Sequence, residues 1–130
     1  MRSTPAALAS AARHLPLTPQ VFQILLSLAD HPLHGYAIIA DITDRTGGDI
    51  RLTASTLYDA LARLVDQSLI AELDAPPVGT TDHDARRRYY TLTDTGRDVV
   101  RLEAARLQRL VEMARQKNLA PAVDRARGRK

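Results

Sequence analysis

The side chains able to do chemistry in this chain fall into three groups. His31 and His34 flank Pro32-Leu33, and Asp82-His83-Asp84 surrounds a third imidazole with carboxylates, so both sets carry metal-ligand atom types. The third group is hydroxylic and cationic. Ser55 and Thr56 open an apolar-periodic segment, Arg63 lies two turns further along it, and Arg86-Arg87-Arg88 leads into Tyr89-Tyr90. The histidine and aspartate sets fall where turn formation and solvation account for them, so no metal and no cofactor is expected. Hydroxyls at a helix start and arginines at a strand start are a different matter. Small hydroxyls let a phosphate approach the backbone, a helix N-terminus favours an anion, and arginine pairs with phosphate oxygens.

Several classes of protein drop out on composition. The 130 residues contain no cysteine, which removes disulfides, thiolate nucleophiles and Cys-ligated metals together. G-x-S-x-G, a glycine-rich phosphate loop and H-E-x-x-H are all absent, so no enzymatic activity is expected. The length suits one domain with a modest core, and 45% hydrophobic with 25% charged residues is the balance of a soluble globular chain. No stretch approaches the roughly 20 apolar residues that a bilayer span needs. The alanine-rich start MRSTPAALASAARHLP is broken by Arg13 and His14 before a signal core develops. A cytoplasmic protein without a membrane partner is the expectation. The net charge of +3 is mild, so placement of the arginines matters more than their total: they concentrate at 86–88, at 97–115 and in the tail DRARGRK.

The elements that must position these groups follow from periodicity. Residues 1–16, alanine-rich and punctuated by Pro5 and Pro16, read as a short helix or a loose arm. In LTPQVFQILLSLADHP, Thr18 caps a helix, Pro19 fits its first position, and Leu17 can staple onto Phe22. Val21, Ile24, Leu25 and Leu28 recur at helical spacing until Pro32 closes the segment. HGYAIIADITDRTGG reads as a second helix with Tyr36, Ile39 and Ile42 or Thr43 on one face, stopped by Gly47-Gly48. A third starts after Thr53. Leu57, Leu61, Leu64, Ala54, Ala60 and Val65 share one arc of its wheel, and Ser55, Thr56, Asp59, Arg63, Asp66 and Gln67 the other. LIAELD and RRYYTLT are strand-like and joined by APPVGTTDHDAR, giving a hairpin with a long tip in which Arg87 should face one way and Arg86 and Arg88 the other. Thr93 or Asp94 then caps a long helix running to about Asn118. Val100, Ala104, Leu107, Val111 and Ala114 form a coiled-coil-like seam along it.

The expected fold is mainly α with a small β-hairpin. Residues 17–92 form a winged helix-turn-helix, 93–118 a dimerisation helix, and 119–130 a basic disordered tail. LHGYAII at 33–39, STLYDALARL with SLI at 55–70, and RRYYTLTDTGR at 87–97 together resemble the PadR family of transcriptional regulators over roughly residues 17–115. Relatives commonly carry Gly in place of Ser55, Pro in place of Asp59, Glu in place of Val65 and Gly in place of Ser68. The resemblance implies DNA contacts from Tyr36, Ser55, Thr56, Tyr58, Asp59, Arg63, Arg86, Arg87 and Arg88. Core packing is the primary expectation for Tyr36, and Asp59 can either accept from a cytosine amino group or repel phosphate. It further implies a homodimer on a pseudo-palindromic double-stranded operator, and repression relieved by a small-molecule effector or another signal. The alternative is a winged-helix module for dimerisation and protein contact that does not bind DNA.

Overall fold

The computed structural model describes residues 3–122, so most of the basic tail expected to be disordered lies outside the described residues. Among the described residues there are five α-helices and three short strands: α1 (Pro5–Ala12), α2 (Pro19–Ser27), β1 (Leu33–His34), α3 (Gly35–Arg45), α4 (Ala54–Asp66), β2 (Ile70–Glu72), β3 (Tyr89–Leu92) and α5 (Asp94–Gln116). Threonine caps begin four of the helices. Thr4, Thr18, Thr53 and Thr93 accept from the backbone N–H three residues on, at 3.0–3.2 Å, satisfying donors that the helix cannot. The alanine-rich start is a helix, and it packs along α5.

One apolar core joins the elements. Ile24, Leu25 and Leu28 meet Ile38 and Ile42 of α3, Leu57, Leu61 and Leu64 of α4, Leu69 and Ile70, Tyr90 and Leu92 of the sheet, and Val99 of α5. Several local expectations need correction. α2 stops at Ser27, where the Leu28 N–H closes a turn onto Leu25, so Pro32 does not end it. On α3 the inward residues are Ile38 and Ile42, with Ile39 only partly buried and Tyr36 outside. On α4, Val65 is exposed at the edge of the arc rather than within it.

The sheet also exceeds the expected hairpin. Its order is β1-β3-β2, antiparallel throughout, with Leu33 opposite Tyr90 and Ile70 opposite Leu92. The wing's central strand is therefore paired on both sides, and β1 runs directly into α3.

Two terminations set the geometry around α4. Gly47 and Gly48 take positive φ, 60° and 87°, turning the chain out of α3. After α4, the Leu69 N–H reaches back to the Leu64 carbonyl and the Ser68 N–H to Val65, a Schellman arrangement with Leu69 packing near Leu64. Ser68 sits at φ 60°, in the left-handed region that glycine adopts without steric cost.

Candidate nucleic-acid interface

α3, α4 and the segment before β3 converge on one groove. Gly35, the first residue of α3, lies so close beneath Tyr58 of α4 that a Cβ there would stand 2.5 Å from the Tyr58 hydroxyl oxygen. The absence of a side chain at 35 lets the two helices meet and props the tyrosine ring above the start of α3. His34 caps that start: its Nδ1 accepts from the Ala37 N–H at 3.2 Å, and its ring meets Tyr89 edge-on, with centroids 5.4 Å apart. Burial and then the Arg87 guanidinium hold the His34 pKa below its ordinary value, which keeps the ring nitrogen available as an acceptor.

Tyr36 is 60% exposed, which overturns the expectation that it packs in the core. Its ring instead lies beneath Arg87, whose guanidinium carbon is 5.1 Å from the ring centroid. Arg87 is further fixed by Asp84, with Nε 2.9 Å from Oδ1. Strand alternation does not arrange the three arginines, because the strand starts only at Tyr89 and Asp84–Arg86 form a 3-10 turn. Their difference has another origin: Arg87 is tied down, whereas Arg86 and Arg88 are exposed and without an ion-pair partner among the described residues. His34, Tyr36, Tyr58, Arg86, Arg87 and Arg88 line a groove of about 310 Å³.

On α4 itself, Ser55, Thr56 and Asp59 stand exposed. The Thr56 hydroxyl accepts from Thr53 at 3.0 Å, which joins it to the cap. Arg63 is exposed on the same arc, one turn beyond Asp59. It lines a second cleft with Arg13, His14 and Gln67, on the flank of α4 turned away from the wing. Of the residues marked out by sequence, the structure thus gathers Tyr36, Tyr58 and Arg86 to Arg88 at one groove and leaves Ser55, Thr56, Asp59 and Arg63 exposed along α4.

Along α5, Val100 is partly buried against the domain's own core, Ala104, Leu107 and Val111 are exposed, and Ala114 is half-buried. Sequence reasoning passed over His34 and Asp84 as functional residues. Their work is positional, and a histidine caps helices too rarely to signal itself by pattern.

Helices α2 to α4 with a paired strand and its loop behind them define a winged helix-turn-helix. Residues 24–102, more than half of the chain, match the Transcriptional regulator PadR-like family, and the chain belongs to that family of regulators rather than to a family of enzymes. It is 40% identical over 87 residues to an uncharacterized 37.1 kDa protein in transposon TN4556 of Streptomyces fradiae; the match covers 67% of this chain and only 22% of that relative. A PadR family regulator from Clostridium difficile R20291 has the same fold, with TM-score 0.61, 24% identity, and coverage of 74% of this chain and 94% of the other. A PadR family regulator from Eggerthella lenta gives TM-score 0.58 at 28% identity over 85% and 87% of the two chains. Bacillus subtilis PadR, solved in complex with operator DNA, gives 0.54 at 27% identity over 66% and 46%. Among the described residues no helix is long and apolar enough to cross a membrane.

Proposed function

We propose that this protein is a homodimeric, sequence-specific DNA-binding regulator that represses transcription by occupying a pseudo-palindromic operator until a ligand or another signal releases it. The observation that carries the reading is the groove in which two exposed tyrosines and three arginines meet beside the first turn of α4. Phosphate contacts position a protein on DNA and base contacts specify the site, and this surface offers both kinds of group. Arg86 and Arg88 supply mobile positive charge to the backbone, Arg87 on Tyr36 supplies a fixed one, and Ser55, Thr56, Tyr58 and Asp59 face the bases or the nearer phosphates. Arg63, on the same exposed arc of α4 as Thr56 and Asp59, reaches a base edge or the opposite phosphate row. The relative from Bacillus subtilis solved with operator DNA supports the reading, and the uncovered apolar end of α5 supports a dimer.

The test is to select bound fragments from the host genome with the purified protein and to follow their affinity across a salt series. Each phosphate contact steepens the log–log salt slope by about 0.9, so Arg86→Ala with Arg88→Ala is expected to flatten it by roughly two such steps. A second reading is favoured by one feature, the outward carboxylates Asp59 and Asp66 on the exposed arc of α4. A dimer that binds no duplex at low salt would establish that protein-contact reading and overturn this one.

A further inference from the structure

Four of the α-helices begin on a threonine, whose hydroxyl accepts from the helix whatever the pH near neutrality. Among the described residues, α3, the helix that opens beneath the groove, is the one that begins on a titratable group. His34 is held there from two sides. Its backbone pairs with Tyr89 in the sheet, its ring meets the Tyr89 ring edge-on, and its Nδ1 accepts from the Ala37 N–H at 3.2 Å. An imidazole accepts at Nδ1 only while it is neutral, with its proton on Nε2. Once protonated it turns an N–H toward the Ala37 N–H, so the cap is lost and a cation stands at the positive end of α3.

The groups around the ring determine which form the fold favours. Arg86, Arg87 and Arg88 line the same groove from the segment before β3, and Asp84 of the 3-10 turn, itself engaged by Arg87, is the carboxylate that opposes them. The other titratable neighbours are phenols: Tyr36 on α3, Tyr58 on α4 and Tyr89 on β3. Burial, and then Arg87, favour the neutral imidazole against the pull of Asp84. What the cap holds in place is the interface itself. Gly35, beneath Tyr58, is the next residue, and Tyr36, beneath the Arg87 guanidinium, is the one after it. We propose that His34 is a pH-sensitive positioning residue of the DNA-binding groove: its neutral imidazole holds the start of α3, and with it Tyr36, Tyr58 and Arg87, in the arrangement that binds DNA, and its protonation weakens operator binding. The last step rests on the DNA-binding reading above; the switch in the cap does not. Because the capped arrangement disfavours the proton, the cap is unaffected well above the ordinary histidine value of 6.5, and acid works against it as pH falls from there towards the lower capped value.

Operator affinity of the full chain, measured at constant ionic strength from about pH 7.5 to about pH 5.5, tests this in the wild type, in His34→Ala, which cannot cap, and in His34→Asn, which caps without titrating. At the upper pH, His34→Ala should bind about fivefold more weakly than the wild type and His34→Asn nearly as well. On acidification the wild type should lose about fivefold more affinity than His34→Asn, which retains His14, His31 and His83, so that any contribution from those three cancels. Equal losses in wild type and His34→Asn, or undiminished binding by His34→Ala, would overturn the proposal. So would tighter binding by the acidified wild type, which would make the imidazolium a phosphate contact instead. Unfolding temperatures recorded alongside separate a lost cap from a lost fold. In the DNA-free protein, hydrogen-exchange protection of the Ala37 amide, referred to the same amide in His34→Asn, should fall over the same pH range; constant protection would overturn the switch in the cap. A wild type that binds no duplex at any pH would overturn the proposed function, and the Ala37 amide would still show whether the cap titrates.

Discussion

From Asp94 to Glu103, α5 turns its apolar side chains inward, with Val99 fully buried and Val100 and Leu102 against the core. From Leu107 onward the same helix leaves Leu107, Leu110, Val111 and Met113 between 37% and 59% exposed. The boundary is a charged pair. Glu103, 1% exposed, accepts from the Leu17 N–H at 2.8 Å and from Arg106 Nε and Nη2 at 2.5 and 2.9 Å. The Arg106 hydrogen bond, helped by Leu17, holds its carboxyl below the ordinary glutamate range despite burial. One continuous apolar periodicity therefore serves two partners in succession, first the helix's own domain and then whatever covers its far half. A sequence wheel cannot show where one ends and the other begins.

Substitutions on each side of this boundary should act on different observables. The largest effect is expected at Gly96, where an alanine Cβ would stand 2.0 Å from the Leu69 carbonyl oxygen and 2.7 Å from Leu92 Cδ1. Gly96→Ala should lower stability in urea by about 3 kcal/mol, and an unchanged midpoint would show that the joint is slack. Beyond the boundary, Leu110→Asp should leave the urea midpoint of the isolated subunit alone but weaken dimerisation by about 2 kcal/mol, roughly 30-fold in sedimentation equilibrium. If it unfolds the protein instead, the second half of α5 is not the free face described above. Just past the end of α4, at exposed Ser68, Ser68→Gly relieves a left-handed backbone and should stabilise by about 1 kcal/mol without changing association.

The subtlest effect lies at the boundary residue. Because the folded pKa of Glu103 is depressed, its contribution is fully present above the ordinary value of 4.5 and is lost as pH falls through the folded value. Denaturation midpoints compared at pH 7 and pH 3 should fall less steeply for Glu103→Gln than for the wild type. Parallel lines would mean that the pair is not formed.

Much of this was legible beforehand, and the failures share a cause. Thr18, Thr53 and Thr93 announce their helices because capping is a local bargain between a hydroxyl and an N–H three residues away. The leucines of α4 announce the core because burial repeats every turn. Tyr36 misled because its position on the wheel is apolar, while the choice between core and surface was made by Arg87, some fifty residues away in sequence. Strand β1 is two residues long, too short for any period, and exists because β3 presents an edge to it. Glu103 looks like a solvated charge until Leu17, 86 residues earlier, donates to it. The groove's membership was visible in the residue types; that Arg63 also lines a cleft with the α1–α2 turn was not, since a wheel locates Arg63 on the polar arc without saying what packs against its flank.

The pairing of β3 with β1, and the passage of β1 into α3 without an intervening residue, makes the wing and the helix pair a single stiff plate. Arg86 to Arg88 stand at the rim of that plate, one to three residues before β3. Arg87 is fixed there by Tyr36 and Asp84, while Arg86 and Arg88 are exposed on the segment that leads into the strand. A lineage adapting to a new target would have to exchange side chains on a constant frame, and differences in preference among such proteins should be written in residue identity at the rim and on α4, with the backbone hardly altered.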